Sequence, residues 1–249
     1  NGDIALTGLS SGRGGISVVS SANVTSTGSA TITIDGTVNN TLGQDGVFFD
    51  GTGTVITSVA GNILITGSTI ADGPADQGVE IQNGAVVSST GTALVTIEGT
   101  SSDANGGHGV EIETAGTQVT SLNGNITITG TSTNRNGILL TNSATIDATG
   151  SANIAMTGTA GDTDAAVQVD APINSNTGTV TITSLNGASP TDDIVFSANG
   201  DITSASGVIT INADNAGNTA DVTMADGAVI NAGSGTIDID ADVDVTLGS

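Results

Sequence analysis

Short segments in which apolar and polar residues alternate recur along the chain at a nearly constant interval. The pattern Ile-x-Ile-x-Gly is clearest in segments 30–36, 61–67 and 123–130. Strand side chains point alternately to the two faces of a sheet, so each segment has one apolar face. The small residue that closes each element falls at Gly8, Gly36, Gly67, Gly99, Gly130, Gly158, Ser184, Ala213 and Ala241. The mean interval of about 29 residues is typical of a solenoid.

Two further apolar elements follow the first one and keep the same period. The second pairs two apolar residues at Ile16/Val18, Val47/Phe49, Val79/Ile81, Val110/Ile112, Ile138/Leu140, Val167/Val169, Ile194/Phe196 and Val222/Met224. The third is centred on Val24, Ile56, Val87, Val119, Ile146, Ile173, Ile202 and Ile230. Three strands in constant phase bury their apolar faces together only by coiling. The sequence therefore predicts an all-β, right-handed parallel β-helix with three short strands per coil and about nine coils.

The predicted coils imply columns of like residues along the interior. One column is formed by Ile32, Ile63, Val95, Ile126, Ile154 and Val180, and a second by Ile34, Ile65, Ile97, Ile128, Met156 and Ile182. Composition agrees, because Thr, Val and Ile favour strands whereas strong helix formers are scarce. The chain has 37 glycines, three phenylalanines, no Cys, no Trp and no Tyr, so small β-branched residues must supply the core.

Charge excludes several classes of partner. Two basic residues against 25 acidic ones give a formal net charge of −23. Nucleic acids and anionic membrane surfaces are bound through Lys and Arg, so neither is an expected partner. No apolar run approaches the ~18 residues of a membrane span, and no membrane insertion is expected.

The predicted stack has no capping element at either side. A core strand begins at Ile4, and the segment 236–249 still has strand character. We expect residues 1–249 to form a single continuous solenoid whose open edges stack on copies of itself or on further repeats of the same chain.

Acidic residues line up on the second strand of adjacent coils. Glu80 and Glu111 occupy one outward position, and Asp50 and Glu113 belong to the next outward column. Stacked carboxylates repel unless a cation or a proton relieves them, so this strip is a candidate Ca²⁺ site. The simpler interpretation is a solvated acidic strip, since the Gly-Gly-x-Gly-x-Asp calcium repeat is absent.

A polysaccharide-active enzyme, a lyase or glycosidase, is the alternative function. Glu80 and Glu111 about 5 Å apart would suit a retaining mechanism, with His108 and Arg135 in equivalent turns beside them. Against this, the only aromatic platform outside the core is Phe48. Catalytic carboxylates also need different environments to separate their pKa values, whereas these two are expected to be equally exposed. The sequence favours a protein that is not an enzyme and needs no cofactor.

Outward threonines on the first strand suggest a third class, an ice- or glycan-binding solenoid. Thr66, Thr129, Thr157 and Thr183 lie in one column. Asp35 and Glu98 interrupt the array, and ordinary strand propensity explains the Thr content.

The GNITITG-type strands, the Thr/Asn/Gly-rich turns and the acidic balance resemble the passenger and shaft repeats of large bacterial surface adhesins of the filamentous-haemagglutinin and autotransporter type. The likeness covers the whole chain and lies in architecture and composition. It implies export to the cell surface and display as an extracellular rod. The sequence thus predicts an adhesin shaft or a subunit of a surface filament.

Overall fold

The computed structural model describes residues 2–11, 14–39, 44–70, 76–102, 106–161, 164–185, 193–213 and 220–248. Within these ranges the regular secondary structure consists only of β-strands. No helix in the described ranges has the length and apolar character needed to cross a membrane.

The strands form three parallel sheets, one for each of the three sequence elements. Sheet A contains Ile4–Ser10, Ile32–Val38, Ile63–Thr69, Val95–Ser101, Ile126–Ser132, Ile154–Ala160, Val180–Ser184, Ile209–Asn212 and Ile237–Asp240. Sheet B contains Ile16–Val19, Val47–Asp50, Val79–Gln82, Val110–Ile112, Ile138–Leu140, Val167–Val169, Ile194–Phe196, Val222–Met224 and Val245–Leu247. Sheet C contains Asn23–Ser26, Val55–Ser58, Val86–Ser89, Gln118–Ser121, Thr145–Ala148, Ile173–Ser175, Ile202–Ser204 and Ile230–Asn231.

Each strand pairs with its counterpart one coil away, as a β-solenoid requires. Ile32 pairs with Ile63, and the register continues through Val95, Ile126 and Ile154 without a slip. The side chains of both predicted interior columns are completely buried. The all-β solenoid with coils of about 29 residues is therefore confirmed.

The interior is closed in the middle of the stack and partly open in its outer coils. Seven of the nine strands in sheet A bury both inward apolar side chains completely. In the first strand Ile4 and Leu6 are half-buried, and in the last one Ile237 is 46% exposed. About seven turns thus have a sealed core within the predicted nine coils.

The expectation that a small residue closes each strand of sheet A is wrong for the first six coils. Strand Val95–Ser101, for example, continues for two residues beyond Gly99. A Cβ atom at Gly99 would lie 2.0 Å from the carbonyl oxygen of Gly109, which precedes the next strand of sheet B. Glycine is needed there because two backbone segments pass close to each other. Only in the seventh coil does the strand end at the small residue, Ser184.

The corner between sheets C and A alternates between two lengths over the first six coils. Each shorter corner has a serine whose Oγ donates to the carbonyl oxygen of a glycine three residues later, as in Ser58 to Gly61, Ser121 to Gly124 and Ser175 to Gly178. The corners after Ser26, Ser89 and Ala148 have one more residue. The Oγ atoms of Ser26 and Ser89 are buried without a hydrogen-bond partner among the described residues. A shorter corner therefore satisfies the serine hydroxyl, and a longer one does not.

Candidate functional site

The acidic strip predicted on the second element lies on the outward face of sheet B. Glu80 and Glu111 are direct partners in the parallel register, and Phe48 precedes Glu80 in the same column. Adjacent strands lie about 4.8 Å apart, so the two carboxyl groups emerge side by side. Both side chains are half-buried.

Asp45 adds a third carboxyl group, which was not among the residues predicted from the sequence. It lies in the turn before strand Val47–Asp50, where its side chain shares a hydrogen bond with Glu80. Its Oδ1 also accepts the N–H of Gln77 at 2.8 Å. Burial raises the pKa of Asp45 to about 6. Burial, followed by the charge of Asp45, raises the pKa of Glu80 to about 9. Glu80 is consequently protonated at neutral pH, and the proton relieves the repulsion between the stacked acids.

Glu111 has a different environment from Glu80. Burial is the main cause that raises the pKa of Glu111 to about 7, the charges of Glu113 and Asp45 raise it further, and the charge of Arg135 opposes them. The two side chains are equally half-buried, as expected, but their pKa values differ because Asp45 acts on Glu80 through its charge and a hydrogen bond. The pair therefore combines an acid that keeps its proton with one that titrates near neutrality.

Asp50 and Glu113 lie in the second outward column, each bound to an amide of a neighbouring coil. Asn83 Nδ2 donates to Asp50 Oδ1 at 2.7 Å, and Asn142 Nδ2 donates to Glu113 Oε2 at 3.1 Å. In the parts of the chain that the structure describes, no group of three or more His, Cys, Asp or Glu side chains is arranged to hold a metal ion. The Ca²⁺ site at Asp50, Glu80, Glu111 and Glu113 stays a prediction.

His108 belongs to a polar ladder along the turn before sheet B. The ladder has one residue per coil, which lies directly before the glycine that precedes a strand of this sheet. Its members are Asp45, Gln77, His108 and Asn136. The N–H of His108 donates to Gln77 Oε1 at 2.7 Å, and Asn136 Nδ2 donates to the carbonyl oxygen of Ala165 at 3.1 Å. Burial, followed by the charge of Arg135, lowers the pKa of His108 to about 4. His108 is therefore neutral at pH 7.

Arg135 lies in the turn of the coil next to that of His108, as predicted. It does not occupy the position equivalent to His108, because it lies one residue earlier in that turn. The counterpart of His108 is Asn136, whose carbonyl oxygen accepts the N–H of Gly109. The guanidinium of Arg135 is half exposed and lies 3.9 Å from the carboxylate of Asp164. An exposed ion pair at this distance contributes little stability, so Arg135 remains accessible on the rim of the strip.

Searches for a matching family model, a similar curated protein and a similar solved structure found no match. The candidate site therefore stands on its own geometry. That geometry provides a protonated acid, an acid that titrates near neutrality, a neutral histidine and one exposed cation along a single face. Sequence analysis missed two residues that contact this set from the turns before sheet B, Asp45 and Gln77. Their signal was present, since both precede a Gly-Val pair as His108 does.

Proposed function

We propose that this protein is a structural rod, the shaft of an adhesin or the body of a surface filament outside the cell. The observation that supports it is the run of three parallel sheets around one apolar interior, which keeps its register from coil to coil. Solenoids of this kind gain stability from the sum of their coil-to-coil interfaces. At about 4.8 Å per coil, nine coils give a rod on the order of 40 Å long. Display at the cell surface is supported by the resemblance to adhesin shafts.

The last coil leaves interior positions uncovered, which suits stacking on a further β-coil. Val245 is 42% exposed, whereas its partner Val222 in the preceding coil is completely buried. Ile237 differs from its partner Ile209 in the same way. Unpaired strand edges beside an open apolar cross-section are a template for another strand layer. The proposed partner is another coil of the same architecture, from a second copy or from the same chain.

Sedimentation of the 249-residue chain tests the stacking. We expect association that increases with concentration and yields linear rods in electron micrographs. Val245→Lys introduces a charge at the open cross-section and is expected to abolish association. The control is Thr183→Lys on the outward face of sheet A, which adds the same charge and is expected to leave association intact. A chain that stays monomeric at all concentrations, or two variants that behave alike, would contradict end-to-end stacking.

A polysaccharide-active enzyme is the second candidate, and one specific observation favours it. Glu80 and Glu111 are neighbours in the parallel register, and the pKa of Glu80, about 9, lies above that of Glu111, about 7, which is the order that the acid and the nucleophile of a retaining glycosidase need. In this hypothesis Glu80 donates the proton, Glu111 attacks the sugar and Arg135 binds an acidic substituent. The half-exposed Phe48 would be the aromatic platform in the same column.

Incubation with polyuronides and neutral polysaccharides tests this second candidate. If the protein is an enzyme, turnover is detected and Glu111→Gln removes it, while Glu113→Gln in the neighbouring column retains it. If the rod has a purely mechanical role, neither the native chain nor the variants release reducing ends.

A further inference from the structure

A groove runs along the outward face of sheet C, away from the acidic strip. Its two sections, both shallow and widely open to solvent, have volumes of about 490 and 390 Å³ and adjoin at their shared lining residues Asp147 and Thr149. Together they extend from the coil of Ser88 to the coil of Thr203. With about 4.8 Å between coils, the groove is on the order of 20 Å long and parallel to the rod axis. Its shape suits an extended chain better than a compact molecule.

The floor of the groove is a column of small hydrogen-bonding side chains. Parallel register places Ser88, Thr120, Asp147, Asn174 and Thr203 at the same outward position of five successive coils. Each of them is half-buried. The wall beside them contains the exposed residues Thr149, Asn176 and Ala205. Each coil along the groove thus presents one small polar side chain, a hydroxyl in three coils, the carboxylate of Asp147 in one and the amide of Asn174 in one.

Hydrogen bonds between neighbouring coils hold this column in place. Thr203 Oγ1 donates to Asn174 Oδ1, and Asn174 Nδ2 donates to Asp147 Oδ1, both at 2.7 Å. Thr120 Oγ1 likewise donates to Ser88 Oγ at 3.1 Å. Side chains that are already fixed lose little entropy when a ligand binds. Hydroxyl oxygens keep free lone pairs and the Asn174 amide has a second N–H, so capacity for a ligand remains.

Charge narrows the ligand class. The groove is lined by neither Lys nor Arg, and the whole chain has a formal net charge of −23, so a polyanion would be repelled. Asp147 is the only carboxylate of the lining, and both its oxygens already accept hydrogen bonds, from Asn174 and from Thr145. A cationic peptide would therefore meet a single carboxylate in the groove, and the charge of that carboxylate is already partly compensated. A neutral, hydroxyl-rich chain matches the donors and acceptors that are present, and hydrogen bonds would have to hold it, since the lining contains no aromatic side chain.

We propose that the groove on sheet C binds a neutral, extended polysaccharide parallel to the rod axis. Sugar residues of such a chain repeat at a length comparable with the coil spacing, so successive sugars meet successive rungs of the column. This site is independent of the proposed mechanical role, because it needs only the five coils that form the groove. In a surface rod it would be a lateral contact with a glycan matrix.

Isothermal titration of the 249-residue chain with cellohexaose, xylohexaose and mannohexaose tests the proposal, with glucose as the monomer control. We expect at least one hexamer to bind and glucose not to bind measurably. Asn174→Leu and Thr120→Val should each weaken that binding by about tenfold or more, because each removes hydrogen bonds that the ligand needs. The matched control is Thr129→Val, an equivalent half-buried threonine on sheet A, which should bind as the native chain does.

Three results would overturn the proposal. The first is that none of the three hexamers binds at millimolar concentration. The second is that Thr129→Val weakens binding as much as Thr120→Val does. The third is that hexalysine or a hexagalacturonate binds more tightly than every neutral hexamer, which would assign the groove to a charged partner. Circular dichroism of each variant verifies that the solenoid is intact.

Discussion

Asn153 joins the coils on both sides of it: its N–H donates to Asn125 Oδ1 at 3.1 Å, and its own Oδ1 accepts the N–H of Thr179 at 2.8 Å. Asp3 and Asn62 hold the corresponding position in earlier coils and accept in the same way from the next coil. The position that these residues share lies directly before a strand of sheet A. An Asx side chain there continues the hydrogen-bond ladder beyond the strand, and so contributes to the stacking of the coils.

Leu94 interrupts that ladder, which gives a gain-of-stability prediction. Leu94 lies between Asn62 and Asn125 in the column and is 43% exposed. Leu94→Asn would provide a carbonyl acceptor for the N–H of Asn125, worth about 0.5–1.5 kcal/mol. We expect a higher midpoint in urea unfolding. Asn153→Leu is the reciprocal variant and should lower the midpoint by a comparable amount. If both variants have the same midpoint of urea unfolding as the native chain, the side-chain ladder contributes no stability.

The two corner lengths predict opposite responses to the same substitution. Ser121→Ala removes the donor to the carbonyl oxygen of Gly124 and should cost about 1 kcal/mol or more. Ser89→Ala removes a buried hydroxyl that has no partner among the described residues, so stability should stay unchanged or rise. Alanine already stands at Ala148, in the third of the longer corners. Equal losses of unfolding free energy in both variants would contradict this account of the corner.

Gly99→Ala tests the close approach of sheet A to the start of sheet B. The added Cβ would meet the carbonyl oxygen of Gly109 at 2.0 Å, so the backbone must move and the loss should reach about 3 kcal/mol. Gly116→Ala is the control, because its φ of +89° is strained for alanine while the nearest atom is 3.7 Å away. That variant should cost only about 1–2 kcal/mol. Thermal unfolding of the two proteins decides between a steric and a conformational requirement for glycine.

Stability should fall as the pH rises above the ordinary range of carboxyl groups. The pKa of Glu80 increases from 4.5 to about 9 on folding, so the folded chain binds more protons than the unfolded chain throughout that window. Glu111 and Asp45 act in the same direction up to about pH 7 and about pH 6. The unfolding free energy therefore decreases between about pH 4.5 and pH 9. Glu80→Gln keeps a hydrogen-bonding group next to Asp45 and should flatten the decrease, most clearly between about pH 7 and pH 9, where Glu80 alone contributes. A native pH profile that is flat in this window would exclude a buried proton on Glu80.

His108 should act in the opposite direction at lower pH. Its pKa decreases from 6.5 to about 4 on folding, so the unfolded chain binds the additional proton between these values. The contribution of His108 to stability is then lost as the pH falls from about 6.5 to about 4, and this loss offsets part of the gain that Glu80, Glu111 and Asp45 provide in the same range. Gln77 occupies the corresponding position one coil away, so His108→Gln should fit the turn, and its unfolding free energy should rise more steeply than that of the native chain as the pH falls from about 6.5 to about 4.5. Parallel pH profiles of the two proteins in this range would contradict the role of His108.

The interior could be predicted from sequence because each inward position recurs once per coil with the same chemistry. Ile34, Ile65 and Ile97 are separated by nearly one period and have no alternative face to occupy. Glu80 and Glu111 were predictable as neighbours for the same reason. Their protonation was not, because Asp45 reaches Glu80 from a turn, and the number of residues between equivalent turns varies from coil to coil. The alternation of the corners also required coordinates, since one additional residue changes the partner of a serine hydroxyl without changing the strand pattern.

The central claim is that this chain works as a segment of a stacked β-rod, and imaging of the native assembly by cryo-electron microscopy tests it most directly. The account predicts rods in which β-coils follow one another at about 4.8 Å, with another coil covering Ile237 and Val245. Well-dispersed, compact monomers in which these two side chains remain exposed to solvent would contradict it.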